Sequence, residues 1–132
     1  MGGIRVVVIE DDLDMRNLLE AVLHQSGYEV FTAVDGRSGL ELTRTAQPDV
    51  VTVDAGLPDL DGLEVLRQIR GFSCARVVML TGRTHPADQE AAFEAGAADY
   101  IIKPFRPRDV RARIAALLQP SKPNAGGQRA SE

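Results

Sequence analysis

Five short apolar runs recur along the chain, and the segments between them have the spacing of helices. The runs lie at residues 4–10, 28–33, 49–54, 76–81 and 99–103. Short apolar runs that alternate with helical segments predict repeated strand–helix units and a parallel sheet covered on both faces. The sequence therefore predicts an α/β fold with five strands.

The first and last helical segments have the clearest apolar stripes. The first stripe follows residue 12, with Asp12 or Asp14 able to cap the start of the helix and Gly27 its end. The last helix has Pro107 near its first turn, a position that proline favours. We expect three further helices, with weaker patterns, near residues 36–45, 62–70 and 87–95.

The second run differs from the others, because Glu29 and Thr32 interrupt its apolar residues. A strand that is buried on both faces has few polar positions, so we expect this run to be an edge strand. At the other end of the chain, residues 119–132 have no periodicity and are rich in Gly, Pro, Ser and Ala. Such a composition is typical of a tail or a linker.

Charge and composition exclude several classes of protein. A chain of 132 residues suffices for one domain with a real core, and its net charge of −4 argues against direct nucleic-acid binding. Cys74 is the one cysteine, so we expect no internal disulfide or cysteine metal cluster and a small, half-buried side chain. No apolar stretch approaches the roughly 20 residues that cross a bilayer, and the first residues lack a signal-peptide core. We therefore expect a cytoplasmic location without membrane contact.

The predicted strands end in residues whose side chains can bind ions or take part in a reaction. The first run ends in Glu10 and Asp11, the third in Asp54, the fourth in Thr81 and the fifth in Lys103. The carboxyl ends of parallel strands share one edge of the sheet, where ligands bind, so these side chains should converge. Carboxylates without His or Cys suit a hard cation such as Mg²⁺. With an amine and a hydroxyl they can handle a phosphoryl group, which a carboxylate can itself accept.

These strand-end residues and the segments around them resemble the receiver domain of two-component response regulators. Four motifs carry the resemblance: the Glu10-Asp11 pair, DAGLPDLDGLEVL from Asp54, the Thr81-Gly82 step, and AGAADYIIKPF, which contains Lys103. Each motif alone is weak, but together they follow the family's order and approximate spacing.

The resemblance covers residues 4–118 and implies a flavodoxin-like (βα)5 fold, a doubly wound parallel sheet with strand order 2-1-3-4-5. This order places the first and third strands side by side. The receiver domain would span residues 1–118, followed by a tail or linker at 119–132. The resemblance also implies a cis Lys103–Pro104 peptide bond.

Carried over residue by residue, the resemblance assigns roles at the site. Asp54 would accept a phosphoryl group from a phosphohistidine of a sensor histidine kinase, and Lys103 would neutralise its oxygens. Mg²⁺ would be bound by Asp54 and Asp11, by Glu10 largely through water, and by the backbone carbonyl of Gly56. The domain would catalyse its own phosphorylation and dephosphorylation and would not otherwise be an enzyme.

The resemblance also implies a switch. A phosphoryl group on Asp54 would give the Thr81 hydroxyl a new acceptor, and Tyr100 would turn from an exposed to a buried rotamer. Both movements would favour one of two existing states and reshape the face made by helix 4, strand 5 and helix 5. Gly56 and Arg83 flank the path of a hydrolytic water, so we expect the phosphoryl group to last longer than minutes.

The output of the domain stays open. Residues 106–118 resemble the last receiver helix of OmpR-type transcription factors, whose helix 4–strand 5–helix 5 faces pair charges across a dimer. Asp99 and Arg113 are candidates for such a homodimer contact. A C-terminal effector that controls transcription is one interpretation, and a receiver acting alone in a phosphorelay or by docking is another. A Mg²⁺-dependent phosphohydrolase with an aspartyl nucleophile is a third, but the short connections offer no substrate-capping insertion.

Overall fold

The computed structural model describes residues 3–119, in which five strands alternate with five helices. The strands are β1 (Arg5–Ile9), β2 (Glu29–Ala33), β3 (Val50–Asp54), β4 (Arg76–Thr81) and β5 (Asp99–Ile102). The helices are α1 (Leu13–Gln25), α2 (Gly36–Ala46), α3 (Gly62–Arg70), α4 (Pro86–Glu94) and α5 (Pro107–Leu118). The predicted strands and helices are therefore confirmed.

The five strands are parallel and lie in the order β2-β1-β3-β4-β5. This is the expected order, and β2 is an edge strand as its polar residues predict. The direction of winding reverses at β1, because the chain first moves outward to β2 and then crosses to β3. Ile9 of β1 is level with Val53 of β3, so Glu10 and Asp54 follow at the same height. Such a crossing point is where open α/β sheets bind ligands.

Both faces of the sheet are buried, because successive side chains of a strand point to opposite sides. Val7 and Ile9 of β1 belong to an apolar layer that is covered by α2, α3 and α4. Val6 and Val8 belong to a second layer, which is covered by α1 and α5. The two layers hold the strands rigidly and leave the carboxyl edge of the sheet accessible.

Aspartate side chains cap α1, α2 and α3 where these helices begin at this edge. The Asp12 carboxylate accepts a hydrogen bond from the Met15 N–H at 2.8 Å, at the start of α1. Asp35 and Asp61 cap α2 and α3 in the same way. These caps satisfy N–H groups that have no partner within the helix. Asp12 is therefore a helix cap, as one of the two sequence alternatives predicted.

Three further expectations concern the ends and surface of the molecule. The predicted tail at 119–132 lies outside the described residues, apart from Gln119. The expectation that Cys74 is half-buried is wrong, because its neighbour Ala75 takes the buried position and Cys74 is exposed. Within residues 3–119, the helices are too short or too polar to cross a membrane.

The packing of α2 on β1 can be tested at Gly39. A Cβ at this position would approach the Ile9 Cδ1 to 2.4 Å, and Ile9 is fully buried. Alanine favours a helix over glycine by about 1 kcal/mol, but the overlap costs more. We expect Gly39→Ala to lower the free energy of unfolding by about 1–3 kcal/mol in urea denaturation.

Gly82→Ala is the control, because an added Cβ there has nothing within 4 Å. We expect this substitution to change the free energy of unfolding by less than about 0.5 kcal/mol. Equal stability of the two variants would contradict the close approach of α2 to β1.

Candidate functional site

The predicted site residues converge at the carboxyl edge of the sheet. Glu10, Asp54 and Thr81 are buried, with 1%, 3% and 2% of their surface exposed, whereas Asp11 and Lys103 are exposed. One carboxylate oxygen of Glu10, one of Asp11 and one of Asp54 lie within 4.8 Å of one another. The fold thus brings the acidic pair that follows β1 against the acid that ends β3.

Asp54 is held as a carboxylate by donors from two sides. The Lys103 Nζ donates to Asp54 Oδ1 at 2.9 Å, and the Gly56 N–H donates to the same oxygen at 3.2 Å. Burial by itself would raise the pKa of Asp54, but the hydrogen bond from Lys103, the neighbouring Glu10 and the hydrogen bond from the Gly56 N–H lower it below its usual value. Burial by itself would lower the pKa of Lys103, but the hydrogen bond and the charge of Asp54 outweigh burial and raise it above its usual value. The pair is therefore an ammonium and a carboxylate at neutral pH.

Lys103 is positioned by the end of β5. Its backbone N–H donates to the Thr81 carbonyl at 2.7 Å, which continues the β4–β5 ladder one residue past the strand. The Lys103–Pro104 peptide bond that follows is cis. The ammonium therefore reaches Asp54 from a backbone that the sheet fixes.

The surroundings of Glu10 disfavour the ionised form of its carboxyl group. Its burial, and then the neighbouring Asp54 carboxylate, raise its pKa to about 8. Its Oε2 accepts a hydrogen bond from the Asp12 N–H at 3.1 Å. Its Oε1 is buried, and no group in the described part of the chain donates to it. A buried oxygen without a partner costs about 1–3 kcal/mol, so this atom is available for a ligand.

The side chains of this cluster fit a hard divalent cation. Glu10, Asp11 and Asp54 offer oxygen ligands alone, and within residues 3–119 no His or Cys side chain joins the group. Mg²⁺ prefers such ligands and keeps several waters, for which the exposed Asp11 side leaves room. Gly56 lies beside the cluster, and even a Cβ at that position would meet only Asp54 Oδ1, at 3.9 Å.

Thr81 and Tyr100 are joined through the backbone of Arg83. The Thr81 Oγ1 accepts a hydrogen bond from the Arg83 N–H at 3.0 Å, and the Tyr100 hydroxyl donates to the Arg83 carbonyl at 3.1 Å. Tyr100 is buried, and its ring lies 6.3 Å from that of Phe93. The Arg83 guanidinium lies 3.8 Å from Asp61 Oδ1. The structure thus shows the buried position of Tyr100, and the exposed one stays a prediction.

The face made by α4, β5 and α5 pairs its charges within the chain. The Arg113 guanidinium donates to both carboxylate oxygens of Asp99 at 2.7 Å. Asp109 accepts a hydrogen bond from the Arg106 N–H at 2.9 Å, as part of the cap of α5. The Asp99–Arg113 pair that the sequence suggested across a dimer therefore forms inside one molecule, because β5 and α5 are neighbours.

Sequence reasoning missed one residue at the site. The Arg16 guanidinium donates to the backbone carbonyl of Glu10 at 3.0 Å and to that of Asp11 at 3.4 Å. The available signal was a basic residue near the start of α1, where the positive end of the helix dipole disfavours it.

Comparisons with known proteins identify a matching family and relatives of this chain. The family model described as the response regulator receiver domain matches residues 6–115. The alkaline phosphatase synthesis transcriptional regulatory protein PhoP of Bacillus subtilis is 40% identical over 119 residues, which are 89% of this chain and 50% of that protein. The chain therefore spans about half the length of the curated relatives it matches.

Solved structures show the same fold. The Vibrio cholerae chemotaxis protein CheY4 superimposes with a TM-score of 0.81 at 29% identity, over 87% of this chain and 98% of that one. The BeF3-activated N-terminal receiver domain of Klebsiella pneumoniae RstA gives a TM-score of 0.79 at 31% identity, over 87% and 99% of the two chains.

The raised pKa of Glu10 predicts how stability depends on pH when divalent cations are removed. Glu10 ionises near pH 4.5 in the unfolded chain and near pH 8 in the folded one. Between these values the folded state binds more protons, so its stability falls as pH rises, by up to about 1.4 kcal/mol per pH unit. We expect urea unfolding of the wild type in EDTA to show this decline.

Glu10→Gln is the matched control for this measurement, because it keeps the size of the side chain and cannot ionise. Its stability relative to the wild type should therefore increase steadily from about pH 5 to about pH 8. Parallel pH profiles of the two proteins would show that Glu10 is not the group responsible.

Proposed function

The chain belongs to the response regulator receiver domain family, and we propose that it is a signalling switch controlled by phosphorylation of Asp54. The supporting observation is the state of this carboxylate at the end of the central strand. It is buried, ionised, 2.9 Å from the Lys103 ammonium and adjacent to the Glu10 and Asp11 carboxylates. The donor is a phosphohistidine of a sensor histidine kinase.

The transfer needs a nucleophile and neutralised charge. A bond forms between an Asp54 carboxylate oxygen and phosphorus while the bond between phosphorus and the histidine nitrogen breaks, and that electron pair leaves with the imidazole. Lys103 neutralises the phosphoryl oxygens, as it now neutralises Asp54 Oδ1. Glu10, Asp11, Asp54 and the Gly56 carbonyl would hold Mg²⁺, which when bound supplies further charge neutralisation.

The readout begins at Thr81. Its hydroxyl now accepts a hydrogen bond from Arg83 and keeps its own proton free to donate. A phosphoryl oxygen on Asp54 gives that proton an acceptor, so the β4–α4 connection moves toward the site. The Tyr100 hydroxyl bonds to the same Arg83, and its position therefore follows the movement of this connection. The equilibrium shifts between two states of the α4–β5–α5 face.

The output is control of transcription through an effector C-terminal to this domain, with the α4–β5–α5 face as a homodimer contact. The curated relatives are named as transcriptional regulators, and the chain spans about half of their length. The second candidate is a receiver that acts without an effector, in a phosphorelay or by docking. It is favoured by the match to CheY4, 98% of whose chain is covered.

The phosphoacceptor can be tested with a small acyl phosphate and Mg²⁺. We expect intact mass spectrometry to show one added phosphoryl group on the wild type and none on Asp54→Ala, because no other nucleophilic carboxylate is held by Lys103 within residues 3–119. Asp14→Ala, which removes an exposed acid of α1, should be labelled like the wild type. Equal labelling of Asp54→Ala would rule out this acceptor.

The lifetime of the acyl phosphate tests the role of its neighbours. Gly56 contributes no side chain that could orient a water, and the Arg83 guanidinium is drawn toward Asp61 beside the site. We expect the phosphoryl group to persist longer than minutes after the donor is removed, followed by mass spectrometry. Complete loss within seconds would contradict this assignment.

A further inference from the structure

The connection between β1 and α1 carries two of the three clustered carboxylates, and it consists of residues 10–12 alone. Such a short segment places Glu10 and Asp11 correctly only if its backbone is fixed. The Glu10 N–H donates to the Ala33 carbonyl at 3.0 Å, which fixes the entry to the connection. Its exit is fixed by Asp12, which caps α1. The carbonyl groups between these two points need a separate partner.

Arg16 provides that partner. Helical side chains lean toward the N-terminus of their helix, so a long side chain on the fourth residue of α1 reaches back over the connection. Its guanidinium donates to the Glu10 carbonyl at 3.0 Å and to the Asp11 carbonyl at 3.4 Å. One half-buried side chain thus contacts the backbone of both residues of the acidic pair.

The location of this cation is unfavourable unless it has a specific use. The N-terminal turns of a helix carry partial positive charge, which favours acids and disfavours a guanidinium. Acidic side chains surround Arg16 in the sequence, yet no carboxylate in residues 3–119 lies within ion-pair distance of it. Its hydrogen bonds go to backbone carbonyls, so Arg16 itself occupies no carboxylate oxygen of Glu10 or Asp11.

We propose that Arg16 is a positioning residue of the cation site: it clamps the β1–α1 backbone so that Glu10 and Asp11 present their carboxylates to one divalent ion. This inference rests on the proposed function, because it presumes that the acidic cluster binds Mg²⁺. Arg16 acts through the backbone of the ligands, without touching the ion. Both hydrogen bonds come from one guanidinium nitrogen, Nη1, at the tip of a side chain that is longer than that of lysine.

A positioning role and simple electrostatics predict opposite effects of Arg16→Met on the affinity for Mg²⁺. Loss of a positive charge near an acidic cluster should, by itself, strengthen binding of a cation. Loss of a clamp should weaken it, since removal of groups that orient metal ligands typically costs 10–100-fold in affinity. We expect isothermal titration with Mg²⁺ to show binding about tenfold weaker for Arg16→Met, and intermediate for Arg16→Lys.

Arg67→Met is the matched control, because Arg67 is an exposed arginine of α3 and its loss makes the same change in net charge. Its Mg²⁺ affinity should equal that of the wild type. Phosphorylation by a small acyl phosphate gives a second measurement. Arg16→Met should raise the Mg²⁺ concentration for half-maximal rate, while the rate at saturating Mg²⁺ stays near that of the wild type.

Asp11→Asn separates this inference from the function on which it rests. If Asp11→Asn loses Mg²⁺ binding but Arg16→Met binds as tightly as the wild type, or more tightly, the positioning role is overturned and the cation site stands. If the wild type and Asp11→Asn bind Mg²⁺ equally, the cation site itself is overturned. A rate that stays low at saturating Mg²⁺ would also contradict the clamp, since it would indicate general damage to the site.

Discussion

The crowding of carboxylates at one edge of the sheet is the constraint on which the rest of the site depends. Glu10, Asp11 and Asp54 bring three acidic oxygens within 4.8 Å, and two of these groups are buried. Repulsion of this kind disfavours the fold unless positive charge or a proton offsets it. Lys103 offsets part of it by pairing with Asp54, whereas burial first, and then the neighbouring Asp54, raise the pKa of Glu10. The repulsion that Lys103 does not offset favours binding of a cation at this site.

The same constraint explains why the surrounding backbone is so closely held. A carboxylate cluster is useful only if its geometry persists when its charge changes, because relaxation would let the acids move apart. Asp12 caps α1, Arg16 contacts the carbonyls of the acidic pair, and Lys103 stands on a backbone that is bonded to β4. Packed layers on both faces of the sheet resist any separation of β1 from β3. The rigid packing of the sheet therefore keeps the carboxylates close together in spite of their repulsion.

One edge of the site, in contrast, has few apolar contacts and is suited to movement. The connection from Thr81 to α4 is mostly exposed, and of the nine residues of α4 only Ala92 is buried. Arg83 joins Thr81 and Tyr100 by two backbone hydrogen bonds, which break at lower cost than a packed layer. The site thus combines a rigid part, which holds the carboxylates, with a loosely packed part, the connection from Thr81 to α4, which can move when the charge at the site changes.

The sequence by itself determined the fold class, the edge strand and the identity of the converging acids, because strand and helix periodicities and strand-end residues are local properties of the chain. The tertiary structure decided that Cys74 is exposed and that Asp99 pairs with Arg113 within one molecule, since burial and pairing depend on which elements become neighbours. The role of Arg16 was likewise decided by the tertiary structure: a basic residue near the start of α1 is unusual in the sequence, but its partners are backbone carbonyls, which no residue pattern identifies. The orphaned Glu10 Oε1 also emerged only when β1 and β3 were placed side by side.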